Sequence, residues 1–392
     1  MYVELNPAVP PIEPTRFARC RLNGLLRIVG PIVRVLLRRY VAGVEVVGRE
    51  HLDGGPYLVL MNHACPFDPV LLTFYARMVP HFLVTEPFMA DRPAARFAAW
   101  LGQIPKRKLE PDARAMRMMK RWCGVGGSVA TFPEGQFPWD GIPLPLQPGL
   151  GDLVRYLEVP LVTVRLINGD RLWPAWAKSP RRTRLRIEID PPRKFEGAEA
   201  TDSNVEAYVA ERIRVDPDEC VRWPATGKNL AEGLARFLRF CFACGADDAL
   251  EDSDEALVCA GCGGRWEVSG ENRLRGPAGE FSIAEAWAKV RSALDRRWSK
   301  GTVDLIGLGE VSVIDASKPQ WKPVTRGKLA LAGGILSVGT WQVPIADVVA
   351  HTMDWGDLIL IRTRRQRIAL RLPDDSRAVW TYAFDRRTTR AV

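Results

Sequence analysis

The chain has no run of about twenty apolar residues free of charge, the length a helix needs to cross a bilayer, which excludes a polytopic membrane protein. It also lacks a basic start followed by an unbroken apolar stretch and a small-residue cleavage site. No secretory leader is therefore expected, and the protein should act on the cytoplasmic side. Long polar tracts are missing as well. Hydrophobic residues make up 47% and charged residues 26% of the 392 positions, which rules out wholesale disorder. A chain of this length exceeds one ordinary core, so two or three domains are expected. Acid is the scarcer charge, with 46 acidic residues against 55 basic and a net charge of +9. Basic clusters occur at Lys106 to Arg121, Lys178 to Arg186 and Arg362 to Arg371; the first two either face anionic lipid or coenzyme phosphates or, like many of these side chains, form solvated faces.

What is present begins with His63 and Asp68, five residues apart in Asn62-His63-Ala64-Cys65-Pro66-Phe67-Asp68-Pro69, directly after the apolar run Tyr57 to Met61. A neutral imidazole takes a proton from a hydroxyl when a carboxylate holds its other nitrogen, and a proline-containing turn can bring the two together. Pro66 and Pro69 oppose an ordinary helix here and favour a loop between strand and helix. A second apolar run, Val129-Ala130-Thr131, ends in Phe132-Pro133-Glu134-Gly135, a turn with a carboxylate at its tip. Between them lies Gly102-Gln103-Ile104-Pro105-Lys106-Arg107-Lys108, three cations after a proline turn. Further on, Val159 to Val164 reads as a buried strand preceded by Gly149 and a short helix.

In this order the four blocks resemble the His-x-x-x-x-Asp, Pro-x-x-Arg, Phe-Pro-Glu-Gly and Val-Pro-Val motifs of the glycerolipid acyltransferase superfamily, over roughly residues 20 to 200. The resemblance implies a mixed sheet flanked by helices, and a peripheral O-acyltransferase using acyl-CoA or acyl carrier protein as donor and a lysophospholipid as acceptor. His63 would be the general base and Asp68 would fix its tautomer. Asn62, Glu134 and Gly135 would bind substrate. Lys106, Arg107 and Lys108 would hold the acceptor phosphate, with the family arginine aligning with Arg107 or with Lys108. Where many members continue Thr-Arg-Ser, this chain has Gln136-Phe137-Pro138-Trp139. That aromatic wall either shapes the acceptor site or packs against membrane-facing helices. It also motivates an alternative reading, a catalytically altered lipid-binding adaptor. Cys65 invites an acyl-enzyme reading, but a small buried Cys is a common core residue.

The stretch Leu25 to Arg39 is interrupted by Arg27 and Arg34, and suits a helix broken near Pro31 and lying among anionic headgroups. An amphipathic helix covering its own domain's core fits the same pattern.

Two Cys-x-x-Cys pairs follow, Cys241 with Cys244 and Cys259 with Cys262. This is zinc-ribbon spacing, and four thiolates fill a tetrahedral site, so the zinc would be structural; two disulfides or a redox pair are the alternatives. The acidic stretch Asp247 to Glu255 would repel nucleic acid, so an interdomain brace or a basic protein partner is expected instead. Cys20, Cys65, Cys123 and Cys220 have no paired spacing and read as free thiols.

A helix is expected from Ser282 to Trp298, then strands at Val303-Ile306, Val311-Ile314, Lys328-Leu331, Ile335-Val338, Asp357-Arg362 and Arg367-Leu372, and a last helix from Asp374 to Phe384. This arrangement resembles a pleckstrin-homology or GRAM-type barrel that binds lipid headgroups or proteins, with Arg362, Arg364, Arg365 and Arg367 as a phosphate patch. The expected organisation is thus an acyltransferase-like α/β domain over 1–225, a four-cysteine zinc ribbon over 226–275, a linker helix over 276–300 and a mainly-β domain over 301–392.

Overall fold

The computed structural model describes residues 13–388 apart from 53, 86, 88–95, 97, 216–221, 254, 278, 299–303, 318–320 and 355–356. Cys220 and Val303 lie outside the described residues.

The first helix, α1 (Arg16–Leu37), starts where the Thr15 hydroxyl accepts the Ala18 N–H at 3.1 Å. The break expected near Pro31 does not occur. Pro31 sits exposed inside a continuous helix, where its ring meets solvent rather than a packed neighbour.

Seven strands build the first sheet: β1 (Val41–Val47), β2 (Leu58–Met61), β3 (His81–Thr85), β4 (Ile104–Lys106), β5 (Val129–Thr131), β6 (Leu161–Ile167) and β7 (Thr183–Ile189). Their spatial order is β1-β7-β6-β2-β5-β3-β4. Strands β6, β2, β5, β3 and β4 run parallel, and only the β6–β7 pairing is antiparallel. Helices α2 (Asp68–Tyr75), α3 (Ala113–Gly124), α4 (Leu150–Leu157), α5 (Gly169–Leu172) and α6 (Asp202–Ile213) accompany it. Strand β2 is buried on both faces: Val59 and Met61 enter one apolar cluster, Leu58 and Leu60 the other. That explains its unbroken apolar sequence. Each such side chain stabilises the fold by about 1.5–3 kcal/mol relative to exposure.

The cysteine-bearing segment follows α7 (Leu234–Leu238). Its strands β8 (Leu250–Ser253), β9 (Ala256–Cys259), β10 (Arg265–Val268), β11 (Arg273–Gly276) and β12 (Gly279–Ser282) form one antiparallel sheet. The expected helix appears as α8 (Ile283–Trp298). Its start is a reciprocal cap, with Glu285 N–H on the Ser282 hydroxyl and Ser282 N–H on the Glu285 carboxylate. Most of the acidic stretch is exposed, but two of its carboxylates are engaged. Asp252 accepts the N–H groups of Gly233 and Ala235, both at 2.7 Å, and Asp247 pairs with Arg239.

The C-terminal strands are β13 (Leu305–Ile306), β14 (Val311–Asp315), β15 (Lys322–Gly327), β16 (Leu329–Ala332), β17 (Ile335–Val338), β18 (Trp341–Pro344), β19 (Val348–Asp354), β20 (Leu358–Thr363) and β21 (Arg367–Arg371). They pair as two antiparallel sheets, β13-β16-β17-β18 and β15-β14-β21-β20-β19. The last helix, α9 (Arg377–Thr388), starts three residues later than expected. Ser376 is spent on capping its first turn, its Oγ accepting the Val379 N–H at 3.2 Å, while Asp375 accepts the Trp380 indole N–H at 2.7 Å. One apolar cluster runs from Trp176 through the cysteine-bearing sheet and α8 into both C-terminal sheets and α9.

Candidate active site

Strands β2, β5, β3 and β4 lie side by side and parallel, so their carboxyl ends open on one edge of the sheet, where open α/β sheets form their crevices. Asn62 and His63 leave β2 at this edge, Phe132 to Gly135 leave β5, and Lys106 to Lys108 leave β4. Three blocks that are distant in sequence therefore share one rim.

His63 Nδ1 lies 2.8 Å from Asp68 Oδ2. Asp68 is fully buried at the start of α2 and also accepts the N–H groups of Ala64 (2.7 Å) and Cys65 (3.0 Å) and the Cys65 S–H (3.1 Å). These donors engage both oxygens of the buried carboxylate. The carboxylate fixes the tautomer with the proton on Nδ1, leaving Nε2 as an acceptor with no partner among the described residues. Phe132 stacks on the imidazole, with centroids 3.7 Å apart, and Phe137 leans on it at 3.9 Å. Burial lowers the His63 pKa below its ordinary value, with Asp68 opposing and Lys108 adding to the fall. The ring is therefore a neutral base at neutral pH.

Burial, with Asp68 adjacent, pushes the Cys65 thiol well up. A thiol so held is a poor nucleophile, and its S–H instead orients Asp68. Asn62 spends both ends of its amide on the backbone of Leu166, in bonds of 3.0 and 2.7 Å that tie the exit of β2 to β6.

Glu134 is 3% exposed, and its carboxylate accepts the His63 N–H at 2.8 Å and the Leu144 N–H at 3.1 Å. Burial raises its pKa to about 7 against those two donors. Gly135 has φ +76°, and a Cβ there would approach Gln147 to 3.2 Å, so the turn needs glycine.

The three cations diverge. Burial lowers the Lys106 pKa. Arg107 donates its backbone N–H to Asp112 at 2.8 Å. Lys108 Nζ donates to the Met353 carbonyl at 3.0 Å and lies 3.8 Å from Asp354 Oδ2.

The aromatic wall divides. Phe137 covers the base, whereas Trp139 stacks on Phe237 of α7 at 5.6 Å beneath the Arg377 guanidinium. Its packing partners are thus the chain's second half rather than α1. The expected arginine patch is also corrected at Arg367, which is 3% exposed and donates to the carbonyls of Ala316 (2.9 Å) and Lys108 (3.4 Å). An inward-facing residue of β21 reads as basic in sequence but serves as an internal brace.

The four cysteines predicted to act together converge, with all Sγ atoms within 4.8 Å of one another, Cys244 and Cys259 at 3.8 Å and Cys241 and Cys262 at 3.9 Å. Zinc bound tetrahedrally at about 2.3 Å sets its sulfurs about 3.8 Å apart, whereas a disulfide needs about 2.05 Å. The donor set fits one structural metal ion, with Phe242 and Trp266 packed together beside it.

Residues 43–167 match the family model described as Acyltransferase. The match runs from β1 to the end of β6, includes His63, Asp68, Lys106 to Lys108, Glu134 and Gly135, and bears out the superfamily resemblance over that span. No curated protein matches the chain. Among solved structures, the crystal structure of the 1-acyl-sn-glycerophosphate (LPA) acyltransferase PlsC from Thermotoga maritima is similar, at 20% identity and a TM-score of 0.40, over 48% of this chain and 75% of that chain.

Proposed function

We propose that the acyltransferase-family domain at residues 43–167 is an active O-acyltransferase, moving a fatty acyl group from acyl-CoA or acyl carrier protein to the hydroxyl of a lysophospholipid of the 1-acylglycerol-3-phosphate type. The observation that carries this is the buried Asp68 holding Nδ1 of a neutral His63 whose Nε2 is free to accept. Nε2 takes the acceptor's hydroxyl proton as the oxygen attacks the thioester carbonyl. The tetrahedral intermediate then expels the thiolate, which leaves with the proton held on Nε2. Asn62 and Glu134 support the loop that carries His63, and the block Lys106 to Lys108 draws the acceptor phosphate to the rim.

The adaptor alternative rests on the altered segment after Gly135. Gln136 and Trp139 are engaged by the second half of the chain, and the base and its carboxylate are intact. Purified protein incubated with labelled acyl-CoA and a panel of lysophospholipids should acylate at least one of them. Absence of transfer to every acceptor, with acyl carrier protein donors also tried, counts against an enzyme.

No described helix is long and apolar enough to cross a membrane. Helix α1 instead leaves Ile28, Ile32, Val35 and Leu36 between 58% and 73% exposed, on one face by their spacing and beside Arg27, Arg38 and Arg39. We read this face as lying in the headgroup plane of an anionic bilayer, and the C-terminal sheets with α9 as a PH- or GRAM-like module. Ile32→Glu with Leu36→Glu should weaken sedimentation with phosphatidylglycerol vesicles about 100-fold or more, from two lost apolar insertions. Unchanged sedimentation would remove α1 from the membrane.

A further inference from the structure

Three loops at the rim of the sheet, none adjacent in sequence, are gripped by one tripeptide far along the chain. Thr85, ending β3, donates its hydroxyl to Asp354 Oδ1 at 2.9 Å. Lys108, just after β4, donates to the Met353 carbonyl and faces the Asp354 carboxylate. Gln136, just after the β5 turn, accepts from the Thr352 hydroxyl and the Met353 N–H, both at 3.2 Å. The tripeptide is fixed in turn by Arg377 of α9, which donates to the Asp354 carbonyl at 3.0 Å. The Asp354 side chain is only 3% exposed. Strand β19 thus meets the edge of the sheet that carries His63.

We propose that Thr352–Asp354 complete the acyltransferase site from the C-terminal half, with Asp354 as the positioning residue that aims the Lys108 ammonium at the acceptor's phosphate monoester. This rests on the basic block being the acceptor-phosphate site. An ammonium has three donors. One is used on Met353, while Asp354 Oδ2 at 3.8 Å is beyond hydrogen-bond reach, so it orients the charge without saturating it. Two donors therefore stay available to an incoming anion. Asp354 Oδ1 is held by Thr85, which keeps the carboxylate from swinging in as a full competitor. The Lys108 charge is also felt at His63, which places it on the same rim. The segment that departs from the superfamily pattern at Gln136 is then the clasp for this strand.

The test uses full-length Asp354→Asn and Thr352→Val, with hydrogen exchange read at residues 104–109 and 132–137. Steady-state kinetics are measured on lysophosphatidate and on the uncharged monoacylglycerol. In both variants exchange should quicken in those two segments. In Asp354→Asn, KM for lysophosphatidate should rise about tenfold, as expected for one weakened charge-assisted contact, while kcat and the monoacylglycerol KM stay within about twofold. A fall in the lysophosphatidate KM overturns the positioning role, because the carboxylate was then competing with phosphate. Equal loss on both acceptors with faster exchange throughout the chain also overturns it, as a merely structural effect. If the wild type acylates nothing, the enzymatic reading fails by itself, and unchanged exchange in both segments separately overturns the clasp.

Discussion

His63→Ala should lower kcat/KM for acyl transfer by about 10²–10⁴-fold, the usual contribution of a positioned general base, with the unfolding midpoint little changed. His63→Gln, which keeps the contact with Phe132 but offers no basic nitrogen, should fall in the same range. Histidine is the cleaner target than its partner. Asp68→Asn would replace one acceptor oxygen by an NH2 group and strand the buried donors on that side, Ala64 N–H and His63 Nδ1–H if it is Oδ2, each lost partner costing about 1–3 kcal/mol, so lost activity there mixes chemistry with unfolding. The pH profile supplies a second measurement. Protonated Nε2 cannot accept the hydroxyl proton, so kcat/KM should rise with pH and level off as His63 loses its proton. Burial lowers that pKa, which puts this limb below the ordinary histidine value of 6.5. Glu134, held at about 7, would add a separate limb there if its carboxylate is required, and Glu134→Gln should remove it. Acyl transfer by His63→Ala at the wild-type rate would end the general-base assignment.

The second large effect is expected from the cysteine cluster. Metal analysis should find about one zinc per chain, and removing it with a strong chelator, or making Cys241→Ser with Cys262→Ser, should collapse the second half of the protein. Structural zinc sites of this kind contribute roughly 10–16 kcal/mol of apparent binding energy, which is then folding energy. The loss would not stay local. The cysteine-bearing sheet shares one apolar cluster with α8, α9 and both C-terminal sheets. Arg239, two residues before Cys241, donates to Asp375 and to the Ile306 carbonyl. Thermal unfolding followed with and without chelator measures the effect. A metal-free protein whose midpoint ignores chelator would show that the thiols pack without an ion.

Short-range signals explain what is legible in the sequence. His63 and Asp68 are five residues apart, each cysteine pair is separated by two, and Glu134 and Gly135 are neighbours. A turn of known chemistry is enough to set such geometry. The α8 periodicity and the apolar runs of β2 and β6 are equally local, and each element appears where expected. Strand β19 has no such signal, since its residues are mostly half-buried and lack clean alternation. Nothing near Thr85 in the sequence marks it as a partner of Asp354.

By itself, then, the sequence determined the His63–Asp68 pair, the acidic turn and the four thiols, because each depends on a few consecutive residues and their allowed backbone shapes. Only the tertiary structure decided that Lys108 faces Asp354, that Arg367 is an internal brace, and that Phe137 and Trp139 serve different neighbours. Those contacts join residues far apart in the chain. They arise from how finished sheets and helices pack, and no local periodicity carries that information.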